Sequence, residues 1–314
     1  MTTSLKGNDI LHGNQFLKKD IDAILKTASY FEKALKRKDQ IPLLKGKILA
    51  TLFYEPSTRT RLSFETAMQR LGGGVVSMGS VESSSVAKGE SLTDTVRTVA
   101  QYADIIVIRH PKTGSAKEAA DAVPIPVLNA GDGAGQHPTQ ALLDIYTIKK
   151  ELGSLNNLKI ALAGDLKNGR TVHALVEVLS LFGAKLYLVS PDILRMPEEI
   201  TSRLRGKGME VTETTDLKQA CQNSDLVYMT RIQKERFTDL SEYEKLKGSY
   251  VINEDFLKQL NKKIVILHPL PRVDEISPAV DEYSGAAYFR QVRNGVYVRM
   301  ALLAMVMGKA VKTT

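Results

Sequence analysis

The heptapeptide EPSTRTR begins at Glu55 and follows an apolar run that is typical of a buried strand. Its hydroxyl side chains at Ser57, Thr58 and Thr60 lie where a following helix is predicted to begin. The N–H groups and the dipole at a helix N-terminus favour a bound anion, and Arg59 adds a planar cation suited to phosphate. An ordinary serine or threonine cap would use only one of these hydroxyls. The segment therefore predicts a phosphate site.

Polar side chains follow other predicted strands as well. Arg109 closes the segment DIIVIRH, and the string QHPTQ at 136–140 follows a glycine-rich loop that permits close backbone approach to a ligand. Arg170 and Arg231 follow strands in the second half, and a dicarboxylic ligand needs two such cations. Ligands of open parallel sheets bind beyond the carboxyl ends of the strands, which favours these positions. Any single arginine or histidine among them could equally be an ordinary surface or structural residue.

The elements that must position these side chains alternate between strand and helix along both halves of the chain. Strands are predicted at Lys47–Tyr54, Asp104–His110, Ile125–Gly131 and Leu158–Asp165, and in KLYLVSP, SDLVYMTR and KIVILHPLPR. Helical spacing is found at Lys19–Lys36, in SFETAMQRLGG, in SLTDTVRTVAQYA, from Pro138, in RTVHALVEVLSLFG, around Pro197–Lys207 and in NGVYVRMALLAMVMGKA. This order predicts an α/β protein of two domains, each a parallel sheet flanked by helices, with right-handed crossovers.

The length of 314 residues also favours two domains. The predicted boundaries are a first domain at 1–137, a linking helix at 138–152, a second domain at 153–290 and a C-terminal helix at 291–314. This last helix is so apolar that it needs burial, and we expect it to pack back on the first domain.

Composition limits the classes of function. The formal charge is +8, but aromatic residues make up only 6% and the basic residues are spread along the chain, so a nucleic-acid interface is not favoured and anionic small substrates are. No apolar run is long enough for a membrane span, and the N-terminus lacks a secretory pattern. The single cysteine, Cys221, fits a reducing cytoplasm. No cluster with metal-ligand spacing is present, so no metal or organic cofactor is expected.

The string STRTR after a strand resembles the carbamoyl-phosphate signature of the aspartate and ornithine carbamoyltransferases, and HPTQ and HPLPR extend the resemblance over almost the whole chain. It implies a carbamoyl phosphate site of Ser57, Thr58, Arg59, Thr60, Ser84, Lys88, Arg109, His137, Gln140, Pro269 and Leu270, the last two through their carbonyls. The catalytic residues would be Thr60, Lys88, Arg109 and His137, and aspartate would bind to Arg170, Arg231 and Gln233.

The second half decides between the two branches of this family. The ornithine branch typically carries a cysteine in HCLP, whereas this chain has HPLP. Arg170 and Arg231 would repel the ammonium group of ornithine and attract the additional carboxylate of aspartate. The resemblance therefore implies that the chain makes N-carbamoyl-L-aspartate and phosphate from carbamoyl phosphate and L-aspartate, the committed step of de novo pyrimidine biosynthesis.

The resemblance also implies an assembly, because Ser84 and Lys88 lie in a segment that reaches the active site of a neighbouring subunit in this family. A homotrimer with shared sites is expected, and separate zinc-containing regulatory chains stay an open alternative. Asn168 departs from the family pattern, in which an aromatic residue is frequent there. Two rival functions are a non-enzymatic carbamoyl phosphate sensor and an NAD-dependent dehydrogenase, although AGDLKNGR lacks the dinucleotide-binding spacing of glycines.

Overall fold

The structure, a computed structural model, describes residues 5–37, 40–78, 85–309 and 311. It contains two compact units, which are described separately below. The first unit includes the described residues up to Leu143 and from Arg293 onward, and the second is Asp144–Val292.

The first unit is built on a four-stranded sheet. Its strands are β1 (Ile48–Phe53), β2 (Gly74–Ser77), β3 (Ile105–His110) and β4 (Val127–Asp132). Its helices are α1 (Lys18–Ala34), α2 (Thr58–Arg70), α3 (Leu92–Val99), α4 (Ser115–Ala122) and the first part of α5 (Pro138–Leu152). The strand order is β2-β1-β3-β4, and all pairs are parallel. The carboxyl ends of β1, β3 and β4 are consequently neighbours on one edge of the sheet.

The second unit is built on a five-stranded sheet. Its strands are β5 (Lys159–Ala163), β6 (Lys185–Val189), β7 (Val211–Thr214), β8 (Leu226–Met229) and β9 (Val265–Leu267). Its helices are the remainder of α5, then α6 (Arg170–Leu179), α7 (Glu198–Gly206), α8 (Leu217–Gln222), α9 (Leu240–Leu246), α10 (Glu254–Leu260) and the first part of α11 (Tyr288–Val306). The order is β7-β6-β5-β8-β9, again with parallel pairs. Here the carboxyl ends of β5, β8 and β9 are neighbours.

The apolar pattern of the sequence explains these elements. Along α1, the predicted face of Ile21, Ile24, Leu25, Ala28 and Phe31 is buried. The central strands are buried on both sides, as strands of a parallel sheet covered by helices must be. The last part of α11 belongs to the first unit, where Val306 O accepts a hydrogen bond from Gly7 N at 2.9 Å. No helix of the described residues has both the length and the apolarity of a membrane span.

The predicted fold class is confirmed, and each of the seven predicted strands is present with shifted ends. The prediction missed β2 and β7, because these four-residue strands lie at sheet edges and are partly exposed, so they lack an apolar run. The compact units divide inside α5 and inside α11, between Leu143 and Asp144 and between Val292 and Arg293. The domain boundaries proposed from the sequence stay predictions.

A substitution of Gly164 tests how closely the end of β5 packs against the end of β8. Its φ is +115°, and a Cβ there would lie 2.0 Å from the carbonyl oxygen of Thr230. Gly208 is a matched control, since its φ is +80° but a Cβ would meet nothing within 4 Å. We expect Gly208→Ala to lower the free energy of unfolding by about 1–2 kcal/mol and Gly164→Ala by about 3 kcal/mol or more, because β8 must also move. Denaturant unfolding measures both, and equal losses would contradict this account.

Candidate active site

The heptapeptide after β1 forms the start of α2, as predicted. Ser57 is the N-cap residue, with extended backbone at φ −158° and ψ 91°. Its hydroxyl makes no capping hydrogen bond within the described residues, so the interpretation as an ordinary cap does not account for it. Thr58 and Arg59 are exposed and Thr60 is buried. The hydroxyls and the first N–H groups of α2 thus lie together at the carboxyl edge of the sheet, where an anion can accept from them.

Arg109 occupies the end of β3, in register with Phe53 at the end of β1. Its Nε lies 3.3 Å from Glu55 Oε2, and its Nη1 donates to the Ala130 carbonyl oxygen at 3.4 Å. The carboxylate and the carbonyl thereby orient a half-buried guanidinium at the same edge as the α2 N-terminus. Glu55 was part of the predicted segment, but the sequence alone did not suggest that it contacts Arg109.

Asp132, at the end of β4, organises the loop that leads to His137. Its Oδ1 accepts from Gln136 N at 2.8 Å and from Asn129 Nδ2 at 3.1 Å, and its Oδ2 accepts from Gly114 N at 2.8 Å. His137 then precedes the first residue of α5, and both His137 and Gln140 are buried. Sequence reasoning missed Asp132, because its place in the glycine-rich loop is visible in the sequence but its burial is not.

Lys88 lies in a short 3₁₀ helix, Ser85–Lys88, and is exposed. Ser84 and the rest of 79–84 lie outside the described residues. In the first unit, the structure thus brings the α2 N-terminus, Arg109 and His137 to three adjacent strand ends.

Arg170 begins α6 in the second unit, after the loop that follows β5. The buried carboxylate of Asp165 holds this loop, because it accepts from Asn168 N at 3.0 Å and from Asn168 Nδ2 at 3.1 and 3.2 Å. The adjacent Gly169 is needed here, since a Cβ would lie 2.6 Å from Asp165 O. Asn168, the residue that departs from the family pattern, therefore folds back on the loop itself.

Arg231 lies beyond the end of β8, and Glu235 holds it through two hydrogen bonds, one of them Nη1 to Oε2 at 3.0 Å. This pairing raises the pKa of Arg231 and lowers the pKa of Glu235 from its usual value. Gln233 is half-buried in the same segment. Sequence reasoning assigned no role to Glu235, although its spacing of four residues from Arg231 is visible in the sequence.

His268 follows β9 and is buried beside Glu275, with His268 Nε2 2.6 Å from Glu275 Oε1. Pro269 and Leu270 are half-buried, and Leu270 adopts a positive φ of 55° before a cis peptide bond to Pro271. In the second unit, Arg170, the Arg231 segment and the Pro269–Leu270 segment thus follow the adjacent ends of β5, β8 and β9.

These positions give an α/β protein in which one sheet edge of each unit carries groups suited to an anion. One edge offers hydroxyls, helix N–H groups and a guanidinium suited to phosphate, and the other offers two guanidiniums suited to carboxylates. Within the described residues, no group of three or more His, Cys, Asp or Glu side chains is arranged to hold a metal ion.

Comparison with known proteins gives the family. Residues 8–150 match the model described as aspartate/ornithine carbamoyltransferase, carbamoyl-P binding domain, and residues 156–306 match the Asp/Orn binding domain of the same family. The aspartate carbamoyltransferase catalytic subunit of Thermococcus kodakarensis is 56% identical over 96% of this chain and 98% of its own length. The chain belongs to the aspartate/ornithine carbamoyltransferase family.

Solved structures agree with this membership. The catalytic subunit of M. jannaschii aspartate transcarbamoylase is 51% identical, with a TM-score of 0.89 over 96% of this chain and 98% of that one. Aspartate transcarbamoylase from Trypanosoma cruzi in complex with carbamoyl phosphate and aspartate is 44% identical, with a TM-score of 0.93 over 98% and 99% of the two chains.

The pH dependence of stability tests how the second unit holds the buried carboxylate of Glu275. Burial favours its protonated form, but hydrogen bonds from His268 and from backbone N–H groups outweigh burial and lower the pKa below the usual 4.5. A carboxylate whose pKa is lower in the folded than in the unfolded state stabilises the fold at pH values above its unfolded-state pKa. This contribution is lost as the pH falls through the folded-state pKa. We expect the difference in unfolding free energy between wild type and Glu275→Gln to shrink below about pH 4.5.

Denaturant unfolding between neutral pH and pH 3 measures this difference. Glu242→Gln, which changes an exposed carboxylate of the same unit, is the control and is expected to alter stability by less than about 0.5 kcal/mol. If the difference in unfolding free energy between wild type and Glu275→Gln instead grows toward low pH, the pKa of Glu275 is not lowered in the folded protein.

Proposed function

We propose that the chain transfers the carbamoyl group of carbamoyl phosphate to the amino group of L-aspartate, giving N-carbamoyl-L-aspartate and phosphate. This is the committed step of de novo pyrimidine biosynthesis. The observation that carries the proposal is the clustering of the α2 N-terminus, Arg109 and His137 at adjacent strand ends of the first unit. Arg170 and Arg231 at strand ends of the second unit favour aspartate over ornithine.

In the proposed reaction the first unit holds carbamoyl phosphate. The hydroxyls of Ser57, Thr58 and Thr60, the N–H groups of α2 and the Arg59 guanidinium bind the phosphate. Thr60, Arg109 and His137 donate to the carbonyl oxygen, and Gln140 contacts the carbamoyl NH₂. The support for these roles is that Thr60 and His137 are buried and that Glu55 and Ala130 O orient Arg109.

The second unit supplies the groups for the acceptor. Arg170 and Arg231 bind the two carboxylates of aspartate, with Gln233 beside them. The carbonyl oxygens of Pro269 and Leu270 accept from the carbamoyl NH₂. The pairing of Arg231 with Glu235 supports the first role, because a guanidinium that is already oriented loses less side-chain entropy when a carboxylate binds.

The chemistry needs no covalent intermediate with the protein. The deprotonated amine of aspartate attacks the carbamoyl carbon, and negative charge develops on the carbonyl oxygen. As the tetrahedral intermediate collapses, the bond from the carbamoyl carbon to the phosphate oxygen breaks and the departing phosphate takes the proton that the amine nitrogen loses. Each donor to that oxygen is expected to lower the barrier by about 3–4 kcal/mol. Alignment of both substrates contributes on the order of 7–11 kcal/mol. Lys88 stabilises the departing phosphate together with Arg59.

We further propose that the chain works in the cytoplasm as a homotrimer with shared sites, in which Ser84 and Lys88 serve the site of a neighbouring subunit. The exposure of Lys88 supports this, because an exposed lysine is available to a partner. The relatives called catalytic subunits support a complex with separate regulatory chains.

The direct test is product formation from carbamoyl phosphate with aspartate or ornithine, run side by side on the purified protein. We expect carbamoyl aspartate and no citrulline, because two arginines repel the ornithine ammonium. Citrulline would contradict the second-unit assignment while leaving the phosphate site intact. No product from either amine would favour a carbamoyl phosphate sensor.

Shared sites predict complementation between two inactive variants. Arg59→Ala and Lys88→Ala should each abolish turnover, because each removes a cation from the phosphate of every site. After dissociation and random reassembly of an equal mixture, about a quarter of the sites should carry neither substitution. The measurement is specific activity of mixed trimers verified by mass spectrometry. Activity no higher than that of the separate variants would count against sharing.

A further inference from the structure

Glu275 and His268 form a buried pair beyond the end of β9. The Glu275 side chain is nearly inaccessible, and its carboxylate accepts three hydrogen bonds. His268 Nε2 donates to Oε1 at 2.6 Å, and the N–H groups of Val273 and Asp274 donate to Oε2 at 3.1 Å each. Three donors satisfy a buried carboxylate well enough to keep it ionised.

The other nitrogen of the imidazole defines its protonation. His268 Nδ1 accepts a hydrogen bond from the backbone N–H of Leu270 at 2.7 Å, so Nδ1 carries no proton. Nε2 therefore carries the hydrogen, and the Glu275 carboxylate stabilises this tautomer by accepting it. Glu275 and the Leu270 N–H thus favour the same neutral form of His268.

The backbone that this pair holds is unusual. Leu270 has a φ of 55°, a left-handed conformation that is unfavourable for a non-glycine residue. A buried polar pair is seldom the most stabilising choice for a core, because apolar residues of equal volume are often as good. The hydrogen bond from Leu270 N to His268 Nδ1 explains why a histidine is found at this position, since it orients the adjacent peptide groups.

We propose that Glu275 and His268 are positioning residues, which hold the Pro269 and Leu270 carbonyl oxygens in the direction needed to accept from the carbamoyl NH₂. This inference rests on the proposed function, which assigns those two carbonyls to the carbamoyl group. The pair acts on these carbonyls through the peptide backbone. Glu275 sets the tautomer, and the tautomer presents an acceptor at Nδ1. That acceptor fixes the peptide group between Pro269 and Leu270, which carries the Pro269 carbonyl oxygen and precedes the peptide group of the Leu270 carbonyl.

Two substitutions of His268 separate its two contacts. In His268→Asn, the amide oxygen can occupy the place of Nδ1 and keep the acceptor for Leu270 N–H, while the contact with Glu275 is lost. In His268→Gln, the longer side chain can reach Glu275 but offers no acceptor at the Nδ1 position. We expect kcat to fall about 10- to 100-fold in His268→Gln and by no more than about threefold in His268→Asn.

Stability must be separated from positioning. Glu177→Gln is the control, since Glu177 is a buried carboxylate of the same unit whose partners are Arg203 and Lys207. It should lower the melting temperature without changing kcat of the folded enzyme. Binding of inorganic phosphate, measured by calorimetry, should be unchanged in both His268 variants, because phosphate has no carbamoyl group.

Nitrogen-15 NMR of labelled histidine reads the tautomer without any assay of activity. We expect the neutral Nε2–H form of His268 in the wild type and a population of the Nδ1–H form in Glu275→Gln, because the glutamine amide can donate to Nε2. An Nδ1–H tautomer in the wild type overturns the proposal, as does equal kcat for His268→Asn and His268→Gln. A wild type that makes no carbamoyl aspartate refutes the proposed function instead, and the NMR result then still decides whether the pair holds Leu270.

Discussion

The parallel register of each sheet is the constraint on which the candidate site depends. In a parallel sheet every strand ends on the same edge, so the loops after neighbouring strands must meet there. Phe53 pairs with Arg109, and Ala163 pairs with Met229. This register brings the α2 N-terminus beside Arg109 and the Arg170 loop beside the Arg231 segment, although these pairs are about 50 to 60 residues apart in sequence. A change of register would separate the side chains without altering a single residue type.

Each edge gathers positive charge, and the fold offsets that charge with carboxylates of its own. Glu55 lies beside Arg109 in the first unit, and Glu235 binds Arg231 in the second. The pairing lowers the pKa of Glu235, which means that the carboxylate stays ionised and keeps its arginine oriented. Partial neutralisation also lets several cations lie close together without a ligand. An arriving anion then meets guanidiniums whose orientation is already restricted, which reduces the entropy lost on binding.

Buried polar residues hold the loops at these edges. Asp132 fixes the loop before α5, Asp165 fixes the loop before α6, and Glu275 fixes the segment after β9. In each case a carboxylate accepts backbone N–H groups that no strand or helix can satisfy. A loop with its N–H groups satisfied in this way keeps one conformation, and ligand groups mounted on it keep their directions. The same device occurs in both units.

Sequence alone determined the α/β class, the central strands and the segments that carry the site, because apolar runs, helix caps and glycines are local signals. It also determined the cationic chemistry, since Arg59, Arg170 and Arg231 are visible as residue types. It did not determine the exposed edge strands β2 and β7, which lack an apolar run, nor the partners Glu55 and Asp132. Only the tertiary structure decided which carboxylate orients which arginine and which nitrogen of His268 carries hydrogen, because these depend on distances between groups that strand register and burial bring together.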